Sequence, residues 1–146
     1  MSVALLDVNV LVALFDPDHV HHRRAHAWFA ENRRSGWATC PLTENGSVRI
    51  LSNPTYSGRQ TTVGDAVARL AAFRASGDHE FWPDTVTLCE EGRFVFPHVS
   101  GHRQLTDVYL LALACARGGR LATFDRRIRP LALAGATAAN LVSMDD

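Results

Sequence analysis

The sequence predicts an α/β fold with a mainly parallel central sheet flanked by helices, and three observations carry that expectation. Short, nearly unbroken apolar runs stand at residues 3–6, 37–40, 121–124 and 140–144. The segments between them repeat their apolar residues at helical spacing. The order alternates strand with helix, as parallel strands joined by crossovers demand. At 146 residues the chain is expected to form one domain, 1–146, large enough for a single core without disulfides.

Val3 to Leu6 reads as a strand buried on both faces, after which Leu11, Leu14 and Phe15 recur at helical spacing. Asp7 therefore stands where a central strand turns into a helix, with Asn9 beside it. Asp16-Pro17-Asp18 breaks this helix and opens a second one, whose apolar side holds Val20, Ala25, Ala27, Trp28 and Phe29 and which ends near Ser35-Gly36. Trp37 to Cys40 is a second strand. Pro41-Leu42-Thr43-Glu44 then starts a third helix running to about Ser52, with Glu44 in its first turn. Residues 53–59 read as a loop, and Thr62 caps a fourth helix carrying Val63, Ala66, Val67, Leu70 and Phe73, ended by Gly77. A short strand is expected at 79–83, and a turn or short helix at 84–92. Thr106-Asp107 opens an apolar helix, Val108 to Arg117, stopped by Gly118-Gly119. Leu121 to Phe124 is the next strand, with Asp125 directly behind it; Arg126, Arg127 and Arg129 follow, then an apolar stretch, Leu131 to Ala134. Residues 140–144 form the last strand, and Asp145-Asp146 a frayed tail.

Composition narrows the function classes. The 15 basic residues are all Arg, and the formal net charge is zero. A uniformly basic nucleic-acid binder is therefore excluded, although local patches are not. Without Lys, neither a P-loop nor a phospho-accepting receiver module can be built. Cys40, Cys89 and Cys115 form no C-x-x-C pair and read as small buried hydrophobes in a reducing compartment. With no basic leader and no stretch long enough to cross a bilayer, a cytoplasmic location away from membranes is expected. His22 and His26 share metal-ligand spacing on a helix, but no Glu follows His22 and no Cys is near. That face reads as solvated or RNA-facing.

Asp7, Glu44, Asp107 and Asp125 are far apart in sequence, yet each falls at a strand end or in the first turn of a helix. Any one of them could be a simple helix cap or a favourable charge on the helix dipole. In a parallel sheet, however, such positions converge on one rim. Carboxylates gathered there need a cation, and oxygen donors without His or Cys suit Mg²⁺ or Mn²⁺. Such an ion activates water and offsets charge on a phosphoryl group, which points to phosphodiester hydrolysis.

The chain resembles the PIN-domain ribonucleases, and within them the VapC-type toxins of bacterial toxin–antitoxin pairs. The resemblance is carried by Leu-Leu-Asp7-Val-Asn9-Val-Leu, Thr43-Glu44-Asn45-Gly46, Arg49-Ile-Leu-Ser-Asn53-Pro54, Gly101-His-Arg-Gln-Leu-Thr106-Asp107-Val-Tyr-Leu-Leu-Ala, and Leu-Ala-Thr123-Phe124-Asp125-Arg126. It implies a PIN-like domain with Mg²⁺- or Mn²⁺-dependent endoribonuclease activity on RNA, a VapB-type antitoxin as partner and a homodimer. It matches Asp7, Glu44, Asp107 and Asp125 to the catalytic acids, and Asn9 and Thr123 to supporting polar positions. On that basis the three aspartates hold the metal directly or through water, and Glu44 binds metal or orients the attacking water. Arg126 and Arg127 are the nearest phosphate-facing arginines, with Arg23, Arg24 and Arg49 as further ones. The alternative is a PIN-like fold kept as a non-catalytic RNA- or protein-binding module.

Overall fold

The computed structural model describes residues 2–56 and 60–144, so the expected tail at Asp145-Asp146 and part of the 53–59 loop lie outside the described residues. Five strands, β1 (Ala4–Leu6), β2 (Trp37–Thr39), β3 (His79–Phe81), β4 (Arg120–Thr123) and β5 (Leu141–Ser143), pair in the order β3-β2-β1-β4-β5. Every pairing is parallel. The helices are α1 (Val8–Phe15), α2 (His22–Asn32), α3 (Pro41–Leu51), α4 (Val63–Ala75) and α5 (Leu105–Ala116). The fold class expected from the sequence is the one observed.

Strand alternation divides the core in two. Ala4, Leu6, Trp37 and Ala122 face a cluster with Leu11, Phe15, Trp28, Phe29 and Leu70, on the side of α1 to α4. Leu5, Ala38 and Leu121 face the opposite cluster, with Val108, Leu111 and Trp82, on the side of α5. Both faces of the central strands are therefore covered, which explains their unbroken apolar runs. Full burial of one such Leu contributes about 1.5–3 kcal/mol.

The helix boundaries follow local chemistry. Asp7 caps α1 through its Oδ1, which accepts from the Val8 N–H at 2.7 Å. Thr62 caps α4 through the Asp65 N–H, as its sequence position suggests. The second helix differs from expectation: it starts at His22 rather than at Asp16-Pro17-Asp18. Asp16 instead ends α1, its N–H bonding to the Val12 carbonyl, and turns the chain by accepting the Asp18 N–H at 3.0 Å. α5 begins three residues before Val108, and the 84–92 segment contains no regular helix. Residues 131–134 contribute no regular α-helix, only a 3₁₀ turn, Pro130–Ala132, and an isolated bridge from Leu133 to Phe94. Of the cysteines expected to be buried, Cys40 is, whereas Cys115 is partly exposed and Cys89, in a turn, is exposed.

Of the two histidines on α2, His26 is exposed and His22 partly so, as a solvated face requires, and each also bonds to the end of α1. His22 Nδ1 donates to the Ala13 carbonyl at 2.7 Å and His26 Nε2 to the Leu14 carbonyl at 2.8 Å. Arg69 donates to the Phe15 carbonyl. With the Asp16 N–H on Val12, every carbonyl of the last turn of α1 is satisfied, three of them by basic side chains that suit the negative end of the helix.

Gly119 permits the tight return from α5 to β4. A Cβ there would stand 2.6 Å from the Val3 carbonyl oxygen and 2.8 Å from the Trp82 ring. Because the nearer obstacle is backbone, Gly119→Ala is expected to destabilise the fold by about 1–3 kcal/mol. A thermal melt should show Tm lowered by roughly 3–10 °C; an unchanged Tm would refute this packing account.

Candidate functional site

The sheet changes direction between β1 and β4. The chain leaves β1 through α1 on one face and approaches β4 through α5 on the other. In an open parallel sheet this switch opens a crevice at the carboxyl ends of the strands. Asp7 follows β1 immediately, Asp125 lies just beyond β4, and Asp107 is in the first turn of α5.

Thr123, the last residue of β4, ties this edge together. Its fully buried hydroxyl donates to Asp7 Oδ2 at 2.7 Å. It accepts from Asn9 Nδ2 at 3.3 Å and from the Asp125 N–H at 3.0 Å. One proton and two lone pairs are thereby all engaged. Asn9 also accepts from the Phe124 N–H at 3.3 Å, so a side chain from α1 holds the chain after β4 in place. Capping is thus only half of what Asp7 does. One oxygen caps α1 while the other is bound across the sheet to β4.

The three aspartates feel one another. Burial raises the Asp7 carboxyl above its ordinary range and the charge of Asp125 adds to this, against hydrogen bonds from Thr123 and Val8. Asp107 is pushed up to about 7, first by burial, then by the charges of Asp7 and Asp125 and a hydrogen bond shared with Asp125. Asp125 moves the opposite way, held low chiefly by hydrogen bonds from Arg127. The Arg127 Nε and Nη2 each reach an Asp125 oxygen at 3.1 Å, and its backbone N–H reaches Oδ1 at 2.8 Å. The Arg127 guanidinium and the raised proton affinity of Asp107 thus offset part of the charge of the cluster.

Glu44 sits at the neighbouring strand end with other partners. Its Oε2 accepts from Thr39 Oγ1 at 2.6 Å and from Arg74 Nη1 at 3.0 Å. Because the Thr39 proton is used on Glu44, the 2.8 Å contact between Thr39 and His79 has His79 Nε2–H as donor. Gly46 lets α3 approach α1 this closely: a Cβ there would be 2.8 Å from Val8 Cγ2. Sequence reasoning singled out Thr123 but missed Thr39, although both end a strand after Ala and both donate to a carboxylate. The repeated Ala-Thr at residues 38–39 and 122–123 was the available signal. Arg74, thirty residues from Glu44, had none.

Among the described residues, no three His, Cys, Asp or Glu side chains stand close enough together to hold a metal ion as they are placed. The chemistry of the aspartates nevertheless suits one. They are oxygen donors only, burial and the charge of Asp125 raise the proton affinity of Asp7 and Asp107, and a hard divalent cation would relieve that repulsion. Of the arginines expected to face phosphate, Arg126 and Arg127 line the clefts beside Asp125. Arg49 lies in the last turn of α3, one helical turn or more from Glu44, and Arg24 is bound to the Met144 carbonyl. Among the described residues, no helix is long and apolar enough to cross a membrane.

Comparison with known proteins agrees with this fold. The PIN domain model matches residues 4–145. Ribonuclease VapC39 of Mycobacterium tuberculosis is 49% identical over 132 residues, covering 90% of this chain and 95% of that protein. Ribonuclease VapC44 of the same organism is 44% identical over 141 residues, covering 97% and 99%. Ribonuclease VapC38 is 48% identical over 130 residues, covering 89% and 90%.

Proposed function

The chain belongs to the PIN-domain family as a VapC-type member, and from that premise we propose that it is a divalent-metal-dependent endoribonuclease, the toxin of a toxin–antitoxin pair. The observation that supports this most is the placing of Asp7, Asp107 and Asp125 around the β1–β4 crevice, where the charge of Asp125 raises Asp7, and the charges of Asp7 and Asp125 raise Asp107. When bound, Mg²⁺ or Mn²⁺ would supply an activated water and offset the charge that builds on the phosphoryl group.

The three aspartates would hold the ion. Glu44, with one oxygen committed to Thr39 and Arg74, would use the other to orient the attacking water or join the ion's ligands. Asn9 and Thr123 keep Asp7 and the backbone of Asp125 fixed, so that the carboxylates need not reorganise. The Arg127 side chain is 69% exposed and can exchange Asp125 for a phosphate oxygen once a cation has taken its place. RNA is the substrate, in the cytoplasm. The regulating partner is a VapB-type antitoxin, and the working form is a homodimer.

The purified chain should cut a structured RNA in Mg²⁺ or Mn²⁺ and stop in EDTA. Expression alone should halt growth, and co-expression of the neighbouring antitoxin gene should restore it. Cleavage that persists in EDTA would exclude this mechanism. RNA binding without cleavage in any divalent ion would leave the PIN-like fold as a binding module.

A further inference from the structure

Beside the Arg127–Asp125 ion pair, the structure forms a second cleft, of about 570 Å³, between the 100–104 segment and the chain after β4. Arg103, Arg126, Arg127 and Arg129 line it together with His102, and among the described residues no carboxylate does. For a chain whose net charge is zero, this is a strong local concentration of positive charge. Elsewhere arginines are consumed by acids: Arg33 by Asp78, Arg74 by Glu44 and Arg93 by Glu90. Arg103 and Arg129 are exposed, and among the described residues their side chains have no hydrogen-bond or ion-pair partner.

The two walls of the cleft are held in register. Gln104, 8% exposed, donates from Nε2 to the Arg127 carbonyl at 3.3 Å and so joins the 100–104 segment to the one carrying the arginines. Just beyond Arg129 in the chain, the isolated bridge between Phe94 and Leu133 and the bond from the Val95 N–H to the Ala132 carbonyl tie the segment down. Arg127 belongs to this cleft and to the Asp125 ion pair at once, so the cationic cleft runs directly into the acidic site.

We infer that this cleft is the track for the RNA backbone beside the cut, and that Arg103 and Arg129 are positioning residues that each hold one phosphate next to the one attacked. The inference rests on the ribonuclease reading above for its substrate. A polyanion fits better than a single small anion because the guanidinium groups are spread along the two walls of the cleft. Each contact adds a salt-dependent increment to affinity through release of bound counterions.

The test uses the full chain and a fluorescein-labelled dodecauridylate RNA, with binding followed by anisotropy in EDTA from 50 to 300 mM salt. Arg103→Gln and Arg129→Gln should each weaken binding about three- to fivefold at 0.1 M salt. Each should also lower the slope of log affinity against log salt by about 0.7, and the double variant by about 1.4. Arg34→Gln, at the opposite end of the sheet just before β2, should match wild type. Both cleft arginines are exposed, so melting temperatures should be unchanged. If the cleft variants bind with the affinity and slope of Arg34→Gln, the track is refuted, as it would be if the cleft served an acidic peptide. A wild type that binds with the expected slope but never cleaves would instead overturn the nuclease reading and leave the track standing.

Discussion

Asp107→Asn is expected to lower metal-dependent RNA cleavage by about a hundredfold or more, and Thr123→Val by about ten- to a hundredfold. The two substitutions act differently. Asp107 is a carboxylate of the cluster itself, and its replacement removes a charge and an oxygen donor suited to a hard cation. Thr123 carries no charge. Its hydroxyl donates to Asp7 while accepting from Asn9 and from the Asp125 N–H, so valine of similar shape would leave Asp7 Oδ2 and two donors without a partner. Thr123→Ser keeps the hydroxyl and should retain most of the activity. Initial rates on one RNA at saturating Mn²⁺, with circular dichroism to confirm folding, check all three. An Asp107→Asn protein within fivefold of wild type would remove the aspartates from the chemistry. A Thr123→Val protein as active as Thr123→Ser would reduce the hydroxyl to a packing element.

How much of this was legible in the sequence depends on the range of the interaction. The buried run at Ala4–Leu6, the apolar face of α5 and the Thr62 cap are encoded within a few neighbouring residues, and they occur where the pattern places them. The convergence of Asp7, Asp107 and Asp125 could be anticipated because the carboxyl ends of parallel strands must share one rim. Pairings across long separations could not. Arg74 belongs to α4 but neutralises Glu44 on α3, so an acid that reads as a fourth member of the cluster is also an ion-pair partner of its own helix neighbour. His22 and His26 have the spacing of metal ligands, and only the position of α1 shows that one ring nitrogen of each bonds to its terminal carbonyls. Arg103 and Arg129 looked like any other arginines until the fold set them on facing walls.

In the metal-free protein the Asp107 contribution to stability is expected to be lost as pH rises from about 5 to 8, a loss read as the difference between wild type and Asp107→Asn. In the folded chain Asp107 keeps its proton up to about 7, against an ordinary 3.8. A carboxyl raised in this way stabilises the fold fully below the unfolded value, and that contribution disappears as pH passes through the folded one. Asp125 has the opposite sign: Arg127 holds it low, so its contribution persists above about 4 and is lost only in more acidic solution. It therefore adds no slope between pH 5 and 8. The Asp107 difference would be worth roughly 4 kcal/mol in a fully buried group. Asp107 is half-buried, and solvent screening reduces this to on the order of 1–2 kcal/mol, or about 3–8 °C in Tm. Asp7→Asn should not gain in the same way. Its new NH₂ would face a Thr123 oxygen whose lone pairs are already taken by Asn9 and Asp125, so relief of charge is offset by a lost hydrogen bond. A divalent ion should raise the wild-type Tm at pH 8, by about 5–10 °C at a hundred times its Kd, and much less at pH 5, where the Asp107 proton competes with it. Melts of wild type and both variants at the two pH values, with EDTA and with Mn²⁺, measure each of these differences. A wild-type Tm indifferent to both pH and Mn²⁺, matched by Asp107→Asn, would mean that the three carboxylates do not share one field.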